Sequence, residues 1–247
     1  MQKHFLISIN ISKGLYQDFI NEILNLSAKR QSSYVCVANV HMCIEAYHNS
    51  SFADVVNNAD IVTPDGKPLV FGIKWLDGIE QARVAGPDLM PSLLAEAQQK
   101  ELKVFFYGAT PDVLNLLVTF CKQKYPDLSI AGAISPPFRT LTCEEENEHI
   151  NRINSSEANL VFVALGCPKQ EIWMHRMKGK INAVMLGVGG AFPMLVGVEK
   201  RAPLWMQKNG LEWFYRLMQD PKRLFKRYFV TNSWFVYLLF KEKILGK

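Results

Sequence analysis

The sequence predicts an α/β fold: a Rossmann-like, mostly parallel sheet with helices on both faces, extended by a helical basic appendage at the C-terminal end. Three observations predict it. Short β-branched runs alternate with stretches of helical periodicity. The runs are apolar almost throughout, as strands covered on both faces must be. Positive charge crowds into the end of the chain, where residues 199–247 carry eleven Lys and Arg against four Asp and Glu.

Taken in order, the expected strands are FLISINI (5–11), YVCVAN (34–39), ADIV (59–62), KVFFYG (103–108), LSIAG (128–132), NLVFVALG (159–166) and NAVMLGVGG (182–190). Helical spacing fills the intervals at 15–29, 41–58, 67–76, 88–100, 111–124, 143–154 and 169–178. With 247 residues, 49% of them apolar, the chain can bury a sizeable core. We read residues 1–198 as an α/β core and 199–247 as an amphipathic appendage. The body is slightly acidic and the tail strongly basic, which points to a local anionic partner.

Several classes are disfavoured. Five cysteines without a C-x-x-C pair argue against a disulfide framework and a zinc site, and for a reducing compartment. The N-terminal MQKHFLISIN lacks the apolar core and cleavage site of a secretory signal. WFVYLLF (234–240) is far shorter than the roughly 20 residues of a spanning helix.

Parallel sheets bind ligands at the carboxyl ends of their strands, so the loops there carry the functional candidates. In TPDGKPLV (63–70), Asp65 followed by Gly66 is either a turn aspartate bonded to nearby backbone or a rigid carboxylate able to act as general base. Asn39 ends the neighbouring strand, as a polar partner or a helix N-cap. In ARVAGPDLM (82–90), Arg83 precedes a Gly-Pro helix start, a combination suited to phosphate oxygens; a surface arginine is the alternative. Asp88 reads as a first-turn acid.

ALGCPKQEIW (164–173) sets Lys169 and Gln170 at another helix start, an anion-and-amide site by geometry. Cys167 has no histidine tied to it by sequence, and Glu171 with His175 reads as a helix-surface pair more than as metal ligands. GVGGAF (187–192) puts Gly187 and Gly189 where backbone can approach a phosphate or sugar, but it is not a dinucleotide fingerprint. No D-x-D occurs, so no metal or cofactor is expected, and protein cations must neutralise any diphosphate.

Asn39, PDGKPLV, RVAGPDLM, FFYGA, LGCPKQEIW, GVGGAF and the long run KRAPLWMQKNGLEWFYRLMQDPKRLFKRY occur in this order. Together they resemble the WecG/TagA/CpsF family of bacterial glycosyltransferases over about residues 34–230, the last segment being the most specific. The resemblance implies metal-independent, inverting transfer of a sugar, often of the N-acetylmannosamine type, from a UDP donor. The acceptor it implies is a polyprenyl-diphosphate-linked sugar at the cytoplasmic face of the membrane. The products it implies are wall teichoic acid linkage units, enterobacterial common antigen and exopolysaccharides.

The resemblance also implies roles. Asp65 matches the family's proposed base; Arg83, Lys169 and Gln170 match positions lining its donor pocket. Val37 and Pro193 stand where the family carries Thr and an acid. Asn39 and Arg83 join Asp65 as the catalytic set, with Gly66, Gly187, Gly189 and the tail arginines Arg216 and Arg223 on substrate.

Beyond Pro221, helical spacing places Lys222, Arg223, Lys226 and Arg227 on one side and Leu224, Phe225, Tyr228 and Phe229 on the other. Lys222, Phe225, Lys226 and Phe229 are thus the expected contacts with an anionic membrane surface, making the protein peripheral on the inner face. A basic module that binds membrane or nucleic acid without catalysis is the alternative; nucleic acid would leave Asp65 and the Gln170 loop unexplained. The sequence leaves a homo-oligomer open.

Overall fold

The computed structural model describes residues 1–245, apart from the side chain of Arg223. Its centre is a six-stranded, all-parallel sheet made of β3 (Ser33–Ala38), β4 (Ile61–Pro64), β5 (Val104–Gly108), β6 (Ile130–Ile134), β7 (Leu160–Ala164) and β8 (Val184–Gly187). Across the sheet the order is β4-β3-β8-β7-β5-β6.

Each strand feeds both faces by simple alternation. Tyr34, Cys36 and Ala38 of β3 and Phe105 and Tyr107 of β5 join one apolar layer. Val35 and Val37, with Val104 and Phe106, join the other. The second layer is closed by α1 (Tyr16–Ala28), α5 (Gly86–Gln99) and α6 (Pro111–Lys124). The first is closed by α2 (Val40–His48), α3 (Ser50–Asn57), α7 (Cys143–Ser155) and α8 (Lys169–Met177). Rossmann-like α/β architecture with a helical C-terminal extension is therefore what the chain adopts.

Two elements differ from the sequence expectation. Residues 5–11 are not one strand of the main sheet: β1 (Lys3–Leu6) and β2 (Ile9–Ser12) form an antiparallel hairpin of their own. Ile7 turns the chain with φ 60°, and a nearly unbroken apolar run hid that turn. The expected helix 41–58 is two helices, because Asn49 adopts an extended conformation and its side chain accepts the Phe52 N–H to start α3.

After α4 (Lys67–Asp77) and the main sheet, the chain ends in α9 (Ala191–Leu195), α10 (Leu204–Lys208), α11 (Glu212–Gln219) and α12 (Pro221–Leu245). Helix α12 runs along α2 and touches α4. Phe235, Leu238 and Leu239 of its second half are buried in the first apolar layer. There Glu242 accepts the Ile7 N–H at 3.1 Å, and the Lys243 ammonium donates to the Trp75 carbonyl at 2.8 Å. Among the described residues, no helix is long and apolar enough to cross a membrane.

Candidate active site

Four strands that are neighbours in the sheet, β4, β3, β8 and β7, end side by side, and each delivers a loop to one cavity of about 420 Å³. Asp65 and Gly66 follow β4, Asn39 follows β3, residues 187–190 end β8, and Gly166, Cys167 and Gln170 follow β7. Arg83 and Gly86 arrive from the start of α5, held because the Val84 N–H donates to the Pro64 carbonyl and the Thr63 hydroxyl to the Val84 carbonyl. Gly86 lets the chain pass close to β8 there: an added Cβ would lie 3.2 Å from the Val188 carbonyl oxygen, a tight contact. The fourth wall is the tail: Glu212, Trp213 and Arg216 from α11, and Arg227, Tyr228 and Thr231 from α12.

Asp65 sits in the floor with a quarter of its side chain exposed. Burial raises its carboxyl to about 6, an effect opposed by Arg83 and reinforced by Glu212. The Arg83 guanidinium lies 3.6 Å from the Asp65 carboxylate, and its Nε donates to the Asp65 backbone carbonyl at 2.6 Å. The turn reading, a side chain bonded to its own loop, gives way to a carboxylate facing a cation.

Arg83 is more heavily committed than a free phosphate ligand would be. It also pairs with Glu212 at 2.7 Å and with Asp88 at 3.7 Å. Arg201 grips Asp88 through both terminal guanidinium nitrogens, and its Nε reaches Glu212 at 3.4 Å. Asp88 is thus an ion-pair partner in addition to a first-turn acid. The network ties the β4 loop, the start of α5 and the start of α11 together. Glu212 was not among the expected site residues, and no local pattern in the basic, aromatic run, which also holds Asp220, singles it out.

The other expected residues divide. Asn39 caps α2, its Oδ1 accepting the Met42 N–H at 3.1 Å, and lines the cavity as well. Gln170 is buried in the wall beside Gly187 and Gly189. Arg216 reaches over the glycine loop, 3.6 Å from where a Gly190 Cβ would stand, and has Glu199 at 3.9 Å. Lys169 is exposed and is not among the lining residues, and the Arg223 side chain lies outside the described residues. Arg227, read from sequence only as part of a basic face, lines the cavity.

Glu171 and His175 are not a surface pair. Glu171 is fully buried and accepts a bond from Gln170, whereas His175 meets the Tyr34 hydroxyl at 3.0 Å. Cys167 is held as a thiol, its pKa raised by burial and then by Glu171, which is contrary to a nucleophile's needs. Among the described residues, no group of three or more His, Cys, Asp or Glu could hold a metal ion.

On α12, Lys222 and Lys226 are exposed, as are Phe225 (60%) and Phe229 (66%), whose rings stack at 6.0 Å. The two phenylalanines border an apolar groove between α11 and α12 that shares Trp213, Tyr228 and Asn232 with the main cavity. Trp213, Phe214 and Met218 of α11 extend the exposed apolar surface.

Comparison with known proteins places this arrangement. Residues 4–247 match the model of the glycosyl transferase WecG/TagA/CpsF family. A protein of Bacillus spizizenii is 35% identical over 196 residues, 79% of this chain and 74% of its own. One of Bacillus subtilis is 33% identical over 212 residues, 85% of this chain and 80% of its own. One of Staphylococcus aureus is 30% identical over 195 residues, 77% and 74% of the two chains. All three are named N-acetylglucosaminyldiphosphoundecaprenol N-acetyl-beta-D-mannosaminyltransferase. With strand-end loops, glycine loop and basic tail all inside the matched residues, the chain belongs to the WecG/TagA/CpsF family of glycosyl transferases.

Proposed function

We propose that this protein transfers a sugar of the N-acetylmannosamine type from a UDP donor to a polyprenyl-diphosphate-linked N-acetylglucosamine, with inversion and without a metal, in the synthesis of a cell-surface polysaccharide. The acceptor follows the names of the relatives. The observation that carries the chemistry is the cavity itself, which the Asp65 carboxylate and the tail cations Arg216 and Arg227 line together.

Inversion needs attack on the anomeric carbon from the side opposite the leaving diphosphate. Asp65 takes the proton of the acceptor hydroxyl as its oxygen bonds to that carbon. The bond from the carbon to the diphosphate oxygen breaks, and UDP departs with the electron pair. Guanidinium groups stabilise the charge that develops on it. Arg83, already engaged by carboxylates, holds Asp65 in place and gives up Glu212 when a diphosphate competes; Arg216, whose ion-pair partner among the described residues is Glu199 at 3.9 Å, is the readier clamp. Arg223 joins the clamp in this reading.

The exposed faces of α11 and α12 support action at the cytoplasmic membrane surface, with Phe225 and Phe229 in the acyl region and Lys222 and Lys226 on anionic headgroups. The apolar groove leading from the cavity offers the polyprenyl chain a path. The test is a panel of UDP-sugars offered with a short-chain polyprenyl-diphosphate-N-acetylglucosamine, the product's mass and anomeric configuration being read by mass spectrometry and proton NMR. We expect one donor to be transferred with inverted configuration. No transfer from any donor by folded protein with a membrane mimic, or retained configuration, overturns the reading.

A further inference from the structure

The wall of the cavity contains a buried side-chain pair whose orientation has a chemical consequence. Gln170 is 4% exposed and Glu171 fully buried, and the Gln170 Nε2 donates to Glu171 Oε1 at 2.7 Å. Among the described residues, Gln170 Oε1, itself buried, accepts no hydrogen bond, while the Glu171 carboxyl has the Cys167 thiol beside it. The orphan amide oxygen lies toward Gly189, 3.5 Å from where a Cβ would stand, while Nε2 lies 3.0 Å from the corresponding point on Gly187. Both glycines line the cavity.

An ionised carboxylate only accepts hydrogen bonds, so the amide end that meets it must be the NH₂. Turning the amide over would set two acceptors against each other in a buried place, where an unmet or repulsive contact is costly. We propose that Glu171 is a positioning residue that fixes the Gln170 amide with its oxygen toward the cavity, so that the site selects a ligand group that donates a hydrogen bond. The inference rests on the nucleotide-sugar reading and narrows it. Such a ligand carries hydroxyl donors as well; we assign the contact to an N–H, either of the uracil ring or of the acetamido group on the transferred sugar. Burial raises Glu171 to about 7, offset by the bond from Gln170, so the arrangement is fully ionised only in mildly alkaline solution.

The experiment is run at pH 8 on the full chain, with wild type, Glu171→Gln, Gln170→Ala and the double variant. Binding is measured for UDP against N3-methyl-UDP, and for a UDP-N-acetylhexosamine against the parent UDP-hexose. One of these pairs should differ by roughly tenfold or more in wild type, which identifies the N–H. That difference should shrink to within about threefold in Glu171→Gln, whose amide tolerates either orientation of Gln170. Adding Glu171→Gln to Gln170→Ala should change nothing further.

A ligand-free readout separates this inference from the reading beneath it. In ¹⁵N-labelled wild type, one side-chain amide proton of Gln170 should be shifted downfield and protected from exchange, and both features should weaken in Glu171→Gln. If that holds while no UDP compound binds, the nucleotide-sugar reading fails and the orientation stands. Unchanged discrimination in Glu171→Gln, an equal effect of that change in the Gln170→Ala background, or amide signals identical to wild type overturns the proposal. Should Glu171→Gln not fold, Glu171→Asp, which withdraws the carboxylate from Nε2, is read by the same two signals.

Discussion

At Asp65, function and stability pull in opposite directions. A carboxyl raised from 3.8 to about 6 binds its proton more tightly folded than unfolded. Stability therefore falls as pH rises from about 4 to about 6, and stays at the lower level above that. Asp65→Asn removes the buried charge, so the variant should melt at least as high as wild type at pH 5 and roughly 3–6 °C higher at pH 8. A lower melting temperature at pH 8 would mean that the Arg83 contact outweighs desolvation. With Asp65 as the proposed base, turnover should rise with pH through about 6 as it loses its proton. A limb absent from Asp65→Asn's residual rate but present in wild type assigns it.

Glu212 and Arg216 make a second pair of residue-scale tests. Arg216→Ala should slow turnover on a water-soluble acceptor analogue by about 10²–10³-fold, because a cation lost opposite the leaving group acts at bond breaking. Glu212→Gln keeps the shape near Arg83 but releases its guanidinium, so UDP binding should tighten while turnover falls as the β4 loop loses its tie to α11. Weaker UDP binding in Glu212→Gln would show that the acid does not compete with the diphosphate.

At the scale of elements, α12 combines two tasks along its length. Its first half presents Phe225 and Phe229 outward and Arg227 and Tyr228 to the cavity; its second half buries Phe235, Leu238 and Leu239. Different substitutions should then fail differently. Phe225→Ser with Phe229→Ser should weaken liposome binding and turnover of lipid-embedded acceptor while sparing a soluble analogue, measured by sedimentation and product assay. Leu239→Ala, beside Gly72 and Leu6, should cost about 2–4 kcal/mol in urea unfolding. A cost below about 1 kcal/mol would detach the helix's end from the core.

Most strands were legible because a parallel sheet buried on both faces leaves apolar runs with turns between them. Residues 5–11 misled because the turn conformation falls on β-branched Ile7 and a lone Ser8 is a weak turn signal, and 41–58 because Asn49 restarts a helix without interrupting its apolar pattern. In the site, loops placed after strands fixed where Asp65, Asn39 and Gly187 would meet. Ion pairing was not legible: Arg83 is engaged by Glu212, 129 positions away, and no local pattern marks such a partner.

For the whole molecule, sheet and tail form one cavity between them: the sheet supplies a carboxylate and glycine-rich backbone, the tail supplies arginines and an apolar, basic outer face. That division explains why the charge is concentrated in one segment. Diphosphate neutralisation by side chains further predicts that turnover is unchanged within about twofold by EDTA, since guanidinium groups take the electrostatic role a metal would fill. Activity lost to chelator and restored by magnesium or manganese would contradict it.

Sugar transfer in this cavity with Asp65 as the proposed base is decided by a single-turnover comparison. Wild type and Asp65→Asn, each saturated with the UDP-sugar that the donor panel identifies, are mixed with limiting short-chain polyprenyl-diphosphate-N-acetylglucosamine. Formation of the glycosylated acceptor is then followed by mass. Wild type should give stoichiometric product and UDP release, and Asp65→Asn, still folded and binding UDP, a rate lower by about 10²–10⁴-fold. Product formed by Asp65→Asn at the wild-type rate, or UDP released by wild type with no sugar on the acceptor, would contradict it.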